Sequence, residues 1–167
     1  MSEPFVAIVM GSDSDLPVMQ ACFDVLRSFS VRFEARITSA HRTPEVTKTF
    51  VQDADKRGCA VFIAAAGMAA HLAGAVAATT VKPVIGVPMN SSLDGLDALL
   101  STVQMPAGIP VASVAIGKAG AKNAAYLAIQ VLATGNPALG QKLLEERAAN
   151  AASIRDKDNA LQESLKD

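Results

Sequence analysis

Short apolar segments alternate with segments of helical periodicity along the first 132 residues of this chain. Four of the apolar segments predict buried strands, and a fifth alternates apolar and polar residues as a half-buried strand does. The five predicted strands are residues 5–10, 31–37, 60–65, 83–87 and 110–115. Because a helical segment separates each strand from the next, the pattern predicts a three-layer α/β fold with a doubly wound parallel sheet and right-handed crossovers.

The predicted organisation is a single domain over residues 1–167. A chain of this length can bury a substantial core, and residues 5–132 give that core a flavodoxin-like architecture of about five strands. Residues 137–167 have instead the composition of one long helix, rich in Glu, Lys, Gln and Ala. Since no strand follows for this C-terminal extension to cover, we expect it to pack against a neighbouring subunit.

Composition excludes several classes of partner. The net charge of −1 offers no attraction to nucleic acid or to an anionic membrane. No apolar run approaches the roughly 20 residues of a membrane span, and residues 1–4 lack the basic start of a signal peptide. Cys22 and Cys59 have no metal-ligand spacing, so we expect two buried free thiols. These features predict a soluble cytoplasmic protein without a metal site.

The loop at residues 11–15, Gly-Ser-Asp-Ser-Asp, follows the first predicted strand. Gly11 permits close backbone approach, and the hydroxyls of Ser12 and Ser14 can hold a phosphate together with amides at a helix N-terminus. Asp15 could accept hydrogen bonds from ribose hydroxyls. Ordinary helix capping explains the same residue types, so both interpretations stay open. The absence of GxxxxGK[ST] and of a complete GxGxxG here disfavours ATPases and dinucleotide enzymes.

Residues 39–44, Ser-Ala-His-Arg-Thr-Pro, place one of only two histidines beside an arginine. Thr43 can cap a helix and Pro44 suits a first helical position, so the segment joins the second strand to a helix. Ligands of open parallel sheets bind beyond the carboxyl ends of the strands. At such a place His41 can exchange a proton near neutral pH, and Arg42 supplies a fixed positive charge.

Small residues dominate positions 64–74, Ala-Ala-Ala-Gly-Met-Ala-Ala-His-Leu-Ala-Gly. A turn of this kind can press its backbone amides and carbonyls against a flat heterocycle, and it can equally let a helix approach the sheet closely. His71 lies among these residues. We favour for it a structural role, as a buried histidine whose ring hydrogen bonds fix a loop.

Taken in order, these motifs resemble the PurE family of purine biosynthesis, in its bacterial class I form with N5-carboxyaminoimidazole ribonucleotide mutase activity. The resemblance covers about residues 5–132. It is carried by GSDSD at 11–15, SAHRTP at 39–44, AAHL at 69–72, PVIGVP at 83–88, VQMP at 103–106 and AIGKAGAKNAA at 115–125.

The resemblance implies a specific reaction on a small ribonucleotide, without metal or other cofactor. A carboxyl group moves from the exocyclic nitrogen N5 to carbon C4 of an aminoimidazole, by decarboxylation, recarboxylation with the trapped CO2 and loss of the C4 proton. His41 matches the general acid/base of the family. The substrate-binding matches are Ser12, Ser14 and Arg42 at the phosphate, Asp15 at the ribose, Ser39 at the reacting carboxylate, and Ala66, Gly67 and Leu72 at the heterocycle. The resemblance also implies a homo-octamer with active sites at subunit interfaces.

Two residues depart from the pattern of many family members. Met68 occupies the position of a second glycine, and Ala73 occupies that of a proline. Both affect the expected shape of the loop at the heterocycle rather than the proton chemistry. The Ala-His-Leu sequence around His71 favours class I over the class II carboxylases of the same fold, which use free CO2 and remain the alternative within enzymes.

A binding module is the alternative from a different class. In a receiver-like or flavodoxin-like module, Asp13 or Asp15 would be a phosphoacceptor and Lys118 the lysine at a later strand end. Such a module would leave the adjacent His41 and Arg42 without a role, so we disfavour it.

Overall fold

The computed structural model describes residues 3–166 of the chain. The strands are β1 (Phe5–Met10), β2 (Phe33–Ile37), β3 (Cys59–Ala66), β4 (Val84–Pro88) and β5 (Ala112–Ser113). The helices are α1 (Leu16–Ser28), α2 (Pro44–Lys56), α3 (Leu72–Ala77), α4 (Leu96–Val103), α5 (Gly117–Ala133) and α6 (Pro137–Ser164). One 3₁₀ turn, Asp13–Asp15, leads directly into α1.

All strand pairs in the sheet are parallel, in the order β2-β1-β3-β4-β5. The carboxyl ends of the strands therefore meet at one edge of the sheet. Strand β1 lies between β2 and β3, and every one of its residues is buried. This arrangement confirms the predicted flavodoxin-like fold with five strands.

Two apolar cores lie on opposite faces of the sheet. Alternate residues of β1 point to each face, as strand geometry requires. Val6, Ile8 and Met10 pack with α1, α5 and Leu143 of α6. The other face of β1 packs with α2 and α3. Two helical layers therefore cover one sheet, which is the predicted three-layer arrangement.

Gly86 of β4 lets α4 approach the sheet. A Cβ at this position would lie 2.2 Å from Cγ2 of Thr102 and 3.3 Å from Cβ of Ala73, so any larger residue would push α4 away. The Thr102 hydroxyl is buried and donates to the carbonyl of Ala98 at 2.7 Å. The close contact keeps the loop between β4 and α4 near the carboxyl edge of the sheet.

Two elements are shorter than the sequence predicts. Strand β5 has two residues where six were predicted, because it is an edge strand that pairs only with β4, through Ala112 and Ser113. Pro110 also lacks the N–H that a ladder needs. The small-residue segment 66–80 predicts one helix, but α3 begins only at Leu72 and ends at Ala77, because the residues before it form a tight turn.

The C-terminal extension forms the predicted long helix, α6. Asn136 caps it, since its Oδ1 accepts from the N–H groups of Ala138 at 3.2 Å and Leu139 at 3.4 Å. Leu143 is the residue of α6 that is buried against the core, and Ile154 further along is 64% exposed. Within residues 3–166, no helix is both long and apolar enough to cross a membrane.

Candidate active site

A cleft of about 540 Å³ opens at the carboxyl edge of the sheet. Loops that follow β1, β2, β3 and β4 form its walls. All nine site residues predicted from the sequence line this cleft: Ser12, Ser14, Asp15, Ser39, His41, Arg42, Ala66, Gly67 and Leu72. Residues that are separated by up to 60 positions in the chain thus meet because parallel strands end at one edge.

The loop after β1 is held by its own serine hydroxyls. The Ser14 N–H and the Ser14 hydroxyl donate to Oγ of Ser12 at 3.2 and 2.9 Å, and the Ser12 hydroxyl donates to the Asp13 carboxylate at 3.1 Å. The N–H of Gly11 donates to the carbonyl of Ala65 at 2.9 Å and ties the loop to β3. Ser12 is the N-cap of the 3₁₀ turn. Capping and an anion-binding arrangement of hydroxyls therefore coexist in one loop.

Asp15 is a carboxylate that is 9% exposed in the cleft wall. Its Oδ2 accepts from the N–H of Ser12 at 3.2 Å and completes a capping box. Burial raises the pKa of the Asp15 carboxyl, and the neighbouring Asp13 adds to the rise, although hydrogen bonds from the backbone of Ser12 and Gly11 act in the opposite direction. Burial therefore destabilises the ionised form of Asp15, and carboxylates with pKa values perturbed in this way are common at functional sites.

The loop after β2 is organised around Ser39. Its Oγ accepts from the N–H groups of His41 at 3.3 Å and Arg42 at 3.1 Å. These bonds occupy the acceptor side of the hydroxyl and leave its hydrogen free to donate into the cleft. Thr43 is the N-cap residue of α2, but its hydroxyl accepts from the N–H of Ser39 at 2.9 Å instead of capping the helix. Pro44 occupies the first helical position, as predicted.

Arg42 provides the positive charge of the cleft wall. Its side chain is exposed, and none of the ion pairs within the described range 3–166 includes it. An unpaired guanidinium beside the loop of Ser12 and Ser14 suits an anionic group that enters the cleft, because charge-assisted hydrogen bonds to arginine can be bidentate.

The two histidines of the chain are in direct contact. Nε2 of His41 lies 2.8 Å from Nδ1 of His71, and the rings meet nearly edge to face, at an interplanar angle of 79°. Both side chains are exposed and line the cleft. The prediction that His71 is buried is therefore wrong, although its ring does make a hydrogen bond that joins two loops. The sequence could not show this, because the contact bridges two loops that follow different strands.

The turn after β3 presents backbone to the cleft, as the small residues predict. The carbonyl of Ala66 accepts from the N–H of Met89 at 2.9 Å. A Cβ on Gly67 would lie 3.4 Å from Cβ of Met89, at van der Waals contact, so the turn packs closely on the loop after β4. Leu72 lines the cleft but is only 2% exposed, with its side chain in the core. Met68 has a φ of +55°, a left-handed conformation that costs roughly 1–2 kcal/mol for a residue with a Cβ.

Sequence reasoning missed the loop after β4. Met89, Asn90 and Ser91 line the cleft, and Asn90 and Ser91 expose an amide and a hydroxyl. The signal that could have found them is their position, directly after the fourth predicted strand, where the strand-end rule places ligand contacts.

Metal binding and thiol chemistry have no support in the described part of the chain. No group of three or more His, Cys, Asp or Glu side chains among residues 3–166 is arranged to hold a metal ion. Cys22 and Cys59 are free and buried, as predicted. Burial raises the pKa of Cys22 to about 12 and that of Cys59 to about 11, so both remain protonated thiols at neutral pH.

Comparison with known proteins gives consistent matches over most of the chain. An N5-carboxyaminoimidazole ribonucleotide mutase from Synechocystis is 52% identical over 160 residues, which span 95% of this chain and 90% of that protein. A phosphoribosylaminoimidazole carboxylase from Ogataea methanolica is 57% identical over 137 residues, 81% of this chain but only 25% of that longer protein. The crystal structure of Treponema denticola PurE superposes with a TM-score of 0.87 at 29% identity, covering 95% of this chain and 99% of that one.

The family model described as AIR carboxylase matches residues 5–153. The match contains the whole sheet, all four loops of the cleft and the first half of α6. Together with relatives above 50% identity, it shows that the chain belongs to the AIR carboxylase family.

Proposed function

We propose that the chain is an N5-carboxyaminoimidazole ribonucleotide mutase, an isomerase of purine biosynthesis that moves a carboxyl group from N5 to C4 of the aminoimidazole ring. The observation that carries this proposal is the composition of the cleft. Its lining includes an imidazole that can carry a proton, a guanidinium outside any ion pair, serine hydroxyls, and a turn of small residues that offers backbone atoms: His41, Arg42, Ser12, Ser14, Ser39, Ala66 and Gly67. The Synechocystis relative with this name, 52% identical, supports it.

His41 is the general acid/base in this proposal. The reaction needs one proton at the nitrogen that loses the carboxyl group and removes one proton from C4, so a single shuttle suffices. An imidazole can carry out both transfers near neutral pH. Contact with Nδ1 of His71 orients the ring of His41, because it occupies Nε2 with a hydrogen bond of 2.8 Å. The reacting atoms would then face the remaining ring nitrogen, Nδ1.

The phosphate and ribose bind between the loops that follow β1 and β2. Arg42 offers a charge-assisted contact to the phosphate, and Ser12 and Ser14 offer hydroxyls. Because Ser14 donates to Ser12 in the structure described here, phosphate binding requires the Ser14 hydroxyl to turn toward the ligand. Asp15 accepts from the ribose hydroxyls, which offsets part of the penalty for keeping that carboxylate buried.

The reacting carboxylate and the heterocycle lie deeper between the loops after β2 and β3. The Ser39 hydroxyl, whose acceptor side is occupied by two backbone N–H groups, donates to the carboxylate. The flat ring packs on the backbone of Ala66 and Gly67, with Leu72 below it. A cleft that excludes water there favours decarboxylation, because charge on a carboxylate is dispersed as CO2 forms.

A carboxylase that uses free CO2 is the second candidate, favoured by the Ogataea methanolica relative at 57% identity. The two activities share a product and differ in substrate. Purified protein should therefore be given N5-carboxyaminoimidazole ribonucleotide in one assay, and the uncarboxylated ribonucleotide with bicarbonate in another, both without added cofactor. Conversion of the first substrate at an efficiency well above the second supports the mutase, and the reverse order supports the carboxylase. Activity on neither compound contradicts both.

The proposal extends to assembly and location. We infer a single-domain cytoplasmic homo-octamer whose active sites lie at subunit interfaces. Exposed apolar residues on α4 support an interface, since Leu96 and Leu100 are 54% and 50% exposed and α4 follows the loop of Asn90 and Ser91 along the chain. Large exposed apolar patches of this kind usually contact another protein surface.

A further inference from the structure

Thr38 and Thr47 are two buried threonines that adjoin the loop after β2. They are 4% and 3% exposed, and within residues 3–166 the other buried polar or charged residues are Asp15 and Thr102. Neither Thr38 nor Thr47 lines the cleft. A hydroxyl in a protein interior is destabilising unless it is hydrogen-bonded, so both side chains need partners beneath the loop.

The hydroxyls of Thr38, Thr43 and Thr47 form a chain. Oγ1 of Thr38 lies 2.7 Å from Oγ1 of Thr47 and 3.2 Å from Oγ1 of Thr43. Within residues 3–166 these two oxygens are the only hydrogen-bond partners of the Thr38 hydroxyl. The Thr47 hydroxyl also donates to the carbonyl of Thr43 at 3.2 Å. Since one hydroxyl can donate to one oxygen and accept from another, Thr38 is the middle member that joins the other two.

The Thr43 end of this chain holds the loop that carries His41. Oγ1 of Thr43 accepts from the N–H of Ser39 at 2.9 Å and donates to the carbonyl of Ser39 at 3.3 Å. Oγ of Ser39 accepts in turn from the N–H groups of His41 at 3.3 Å and Arg42 at 3.1 Å. A continuous path of hydrogen bonds thus leads from the buried Thr38 to the backbone of the proton carrier.

Packing alone does not fix this loop. Among the described strands, the edge strand β2 pairs with β1 alone, and residues 41–46 are all exposed. The N–H of Thr38 donates to the carbonyl of Met10 at 2.8 Å, which ties Thr38 to the central strand β1. The Thr38 side chain therefore connects an exposed loop to a fixed point at the end of the sheet.

We propose that Thr38 is a positioning residue, whose hydroxyl holds Thr43 so that Ser39 and His41 keep their reactive orientation in the cleft. The inference rests on the mutase function proposed above and adds a residue that does not touch the substrate. In that function Ser39 contacts the reacting carboxylate and His41 transfers the proton, so their orientation affects the chemical step. A misplacement of about 1 Å at such groups can cost about 10² in rate.

Substrate affinity should depend much less on Thr38. The guanidinium of Arg42 is at the end of a long, flexible side chain, so it can still reach the phosphate after a small shift of its backbone. The hydroxyls of Ser12 and Ser14 belong to another loop, which is held by its own hydrogen bonds. Loss of the Thr38 hydroxyl should therefore lower kcat and leave KM nearly unchanged.

Two variants of Thr38 separate the hydroxyl from the rest of the side chain. Thr38→Val exchanges the hydroxyl for a methyl group of similar size. It leaves no partner stranded, because Thr43 keeps its bonds to Ser39 and Thr47 keeps its bond to the carbonyl of Thr43. Thr38→Ser keeps the hydroxyl and removes a buried methyl group, which lowers stability. The two variants should therefore rank in opposite orders for kcat and for Tm.

The matched control is Thr79→Val, which removes a hydroxyl that donates to the carbonyl of Ala75 at 3.0 Å outside the cleft. Each protein is measured for kcat and KM on N5-carboxyaminoimidazole ribonucleotide, for Tm, and for amide hydrogen exchange over residues 38–43. Thr38→Val should lose roughly tenfold in kcat, change KM less than about twofold and exchange faster in this loop. Thr38→Ser should keep more than half of the wild-type kcat although it melts below Thr38→Val. Thr79→Val should keep the kcat and the loop exchange of wild type.

A wild-type kcat in Thr38→Val overturns the inference, whether or not the loop exchanges faster. A series in which kcat follows Tm, with Thr38→Ser the slower variant, overturns it as well, because that order indicates lost packing. An equal loss of kcat in Thr79→Val has the same consequence. Absence of any conversion by wild type overturns the mutase function itself, while the exchange rates still show whether Thr38 holds the loop.

Discussion

Nε2 of His41 and Nδ1 of His71 lie 2.8 Å apart, although thirty residues separate them in the chain. One hydrogen occupies the space between these two nitrogens, so one ring donates and the other accepts. The contact leaves a single ring nitrogen of each histidine for other partners. His41 therefore keeps one ring nitrogen, Nδ1, for the reacting atoms, and the contact with His71 sets the orientation of its ring.

His41→Asn should abolish turnover while the protein still folds and binds the ribonucleotide. Removal of a general acid/base costs about 10² to 10⁴ in rate, and His71, the other imidazole of the described cleft, loses its hydrogen-bond partner at the same time. Steady-state kcat measures the loss, and thermal melting together with product binding checks the fold and the site. A variant that keeps more than half of the wild-type kcat contradicts the assignment of His41.

Arg42→Ala should raise KM for the phosphorylated substrate roughly ten- to a hundredfold, because it removes a charge-assisted contact of about 1.5–3 kcal/mol. The dephosphorylated nucleoside should bind equally to wild type and variant. Arg36→Ala, which removes an exposed guanidinium from β2 outside the cleft, is the matched control and should leave KM unchanged. Equal losses on nucleotide and nucleoside would show that Arg42 does not contact the phosphate.

Asp15→Asn should stabilise the protein at neutral pH and lower its affinity for the ribonucleotide. The amide keeps the acceptor for the N–H of Ser12 and removes a charge that burial disfavours. A gain of 1 kcal/mol corresponds to a rise in Tm of about 2–4 °C in a chain of this size. Thermal melts and substrate titrations measure the two effects, which should have opposite signs.

The pH dependence of this gain follows from the raised pKa of Asp15. A carboxyl with a higher pKa in the folded state binds its proton more tightly there, so its ionisation lowers the free energy of unfolding as pH rises through that folded pKa. Well below the unfolded value of 3.8, Asp15 is protonated in both states and the ionisation penalty vanishes. The difference in Tm between variant and wild type should therefore grow from acidic to neutral pH. A difference that shrinks with rising pH would contradict the raised pKa.

Removal of the chain from Ala148 onward should weaken assembly and lower activity together. The truncation keeps Leu143, the residue that joins α6 to the core, and deletes the exposed part of the helix that includes Ile154. Light scattering should report a mass near eight chains for the intact protein and a smaller mass for the truncated one. A monodisperse and fully active monomer would contradict both the octamer and the sites at its interfaces.

The central strands were predictable from sequence, and the edge strand was not. Residues 5–10 predict β1 to the residue, because a strand that is covered on both faces must be an uninterrupted apolar run. Residues 110–115 are mostly apolar but include Ser113 and begin with a proline, and β5 pairs over Ala112 and Ser113 alone. None of residues 110–115 is buried, so a mostly apolar segment at the edge of the sheet predicts neither its burial nor the number of its ladder partners.

Three of the four cleft loops were predictable, because chemistry-bearing residues follow the first three strands and parallel strands end at one edge. The fourth loop, with Asn90 and Ser91, has no motif of its own and was missed. The contact between His41 and His71 depends on the distance between β2 and β3, which flank β1. Only the sheet order determines that distance, and sequence patterns do not give the sheet order.

The residues that line the cleft all lie between Gly11 and Ser91, so within residues 3–166 the part of the chain that follows Ser91 contributes to none of its walls. In the proposed octamer, a substitution in α5 or α6 can reach the chemistry through distortion of the sheet edge, through the association of subunits, or directly from a partner subunit at a shared interface. Altered association changes both the mass in solution and the melting temperature, whereas a distortion confined to the sheet edge changes the melting temperature alone. Mass and melting temperature measured together therefore separate a loss of assembly from a distortion of the fold, and a kinetic defect that changes neither points to direct contact across an interface.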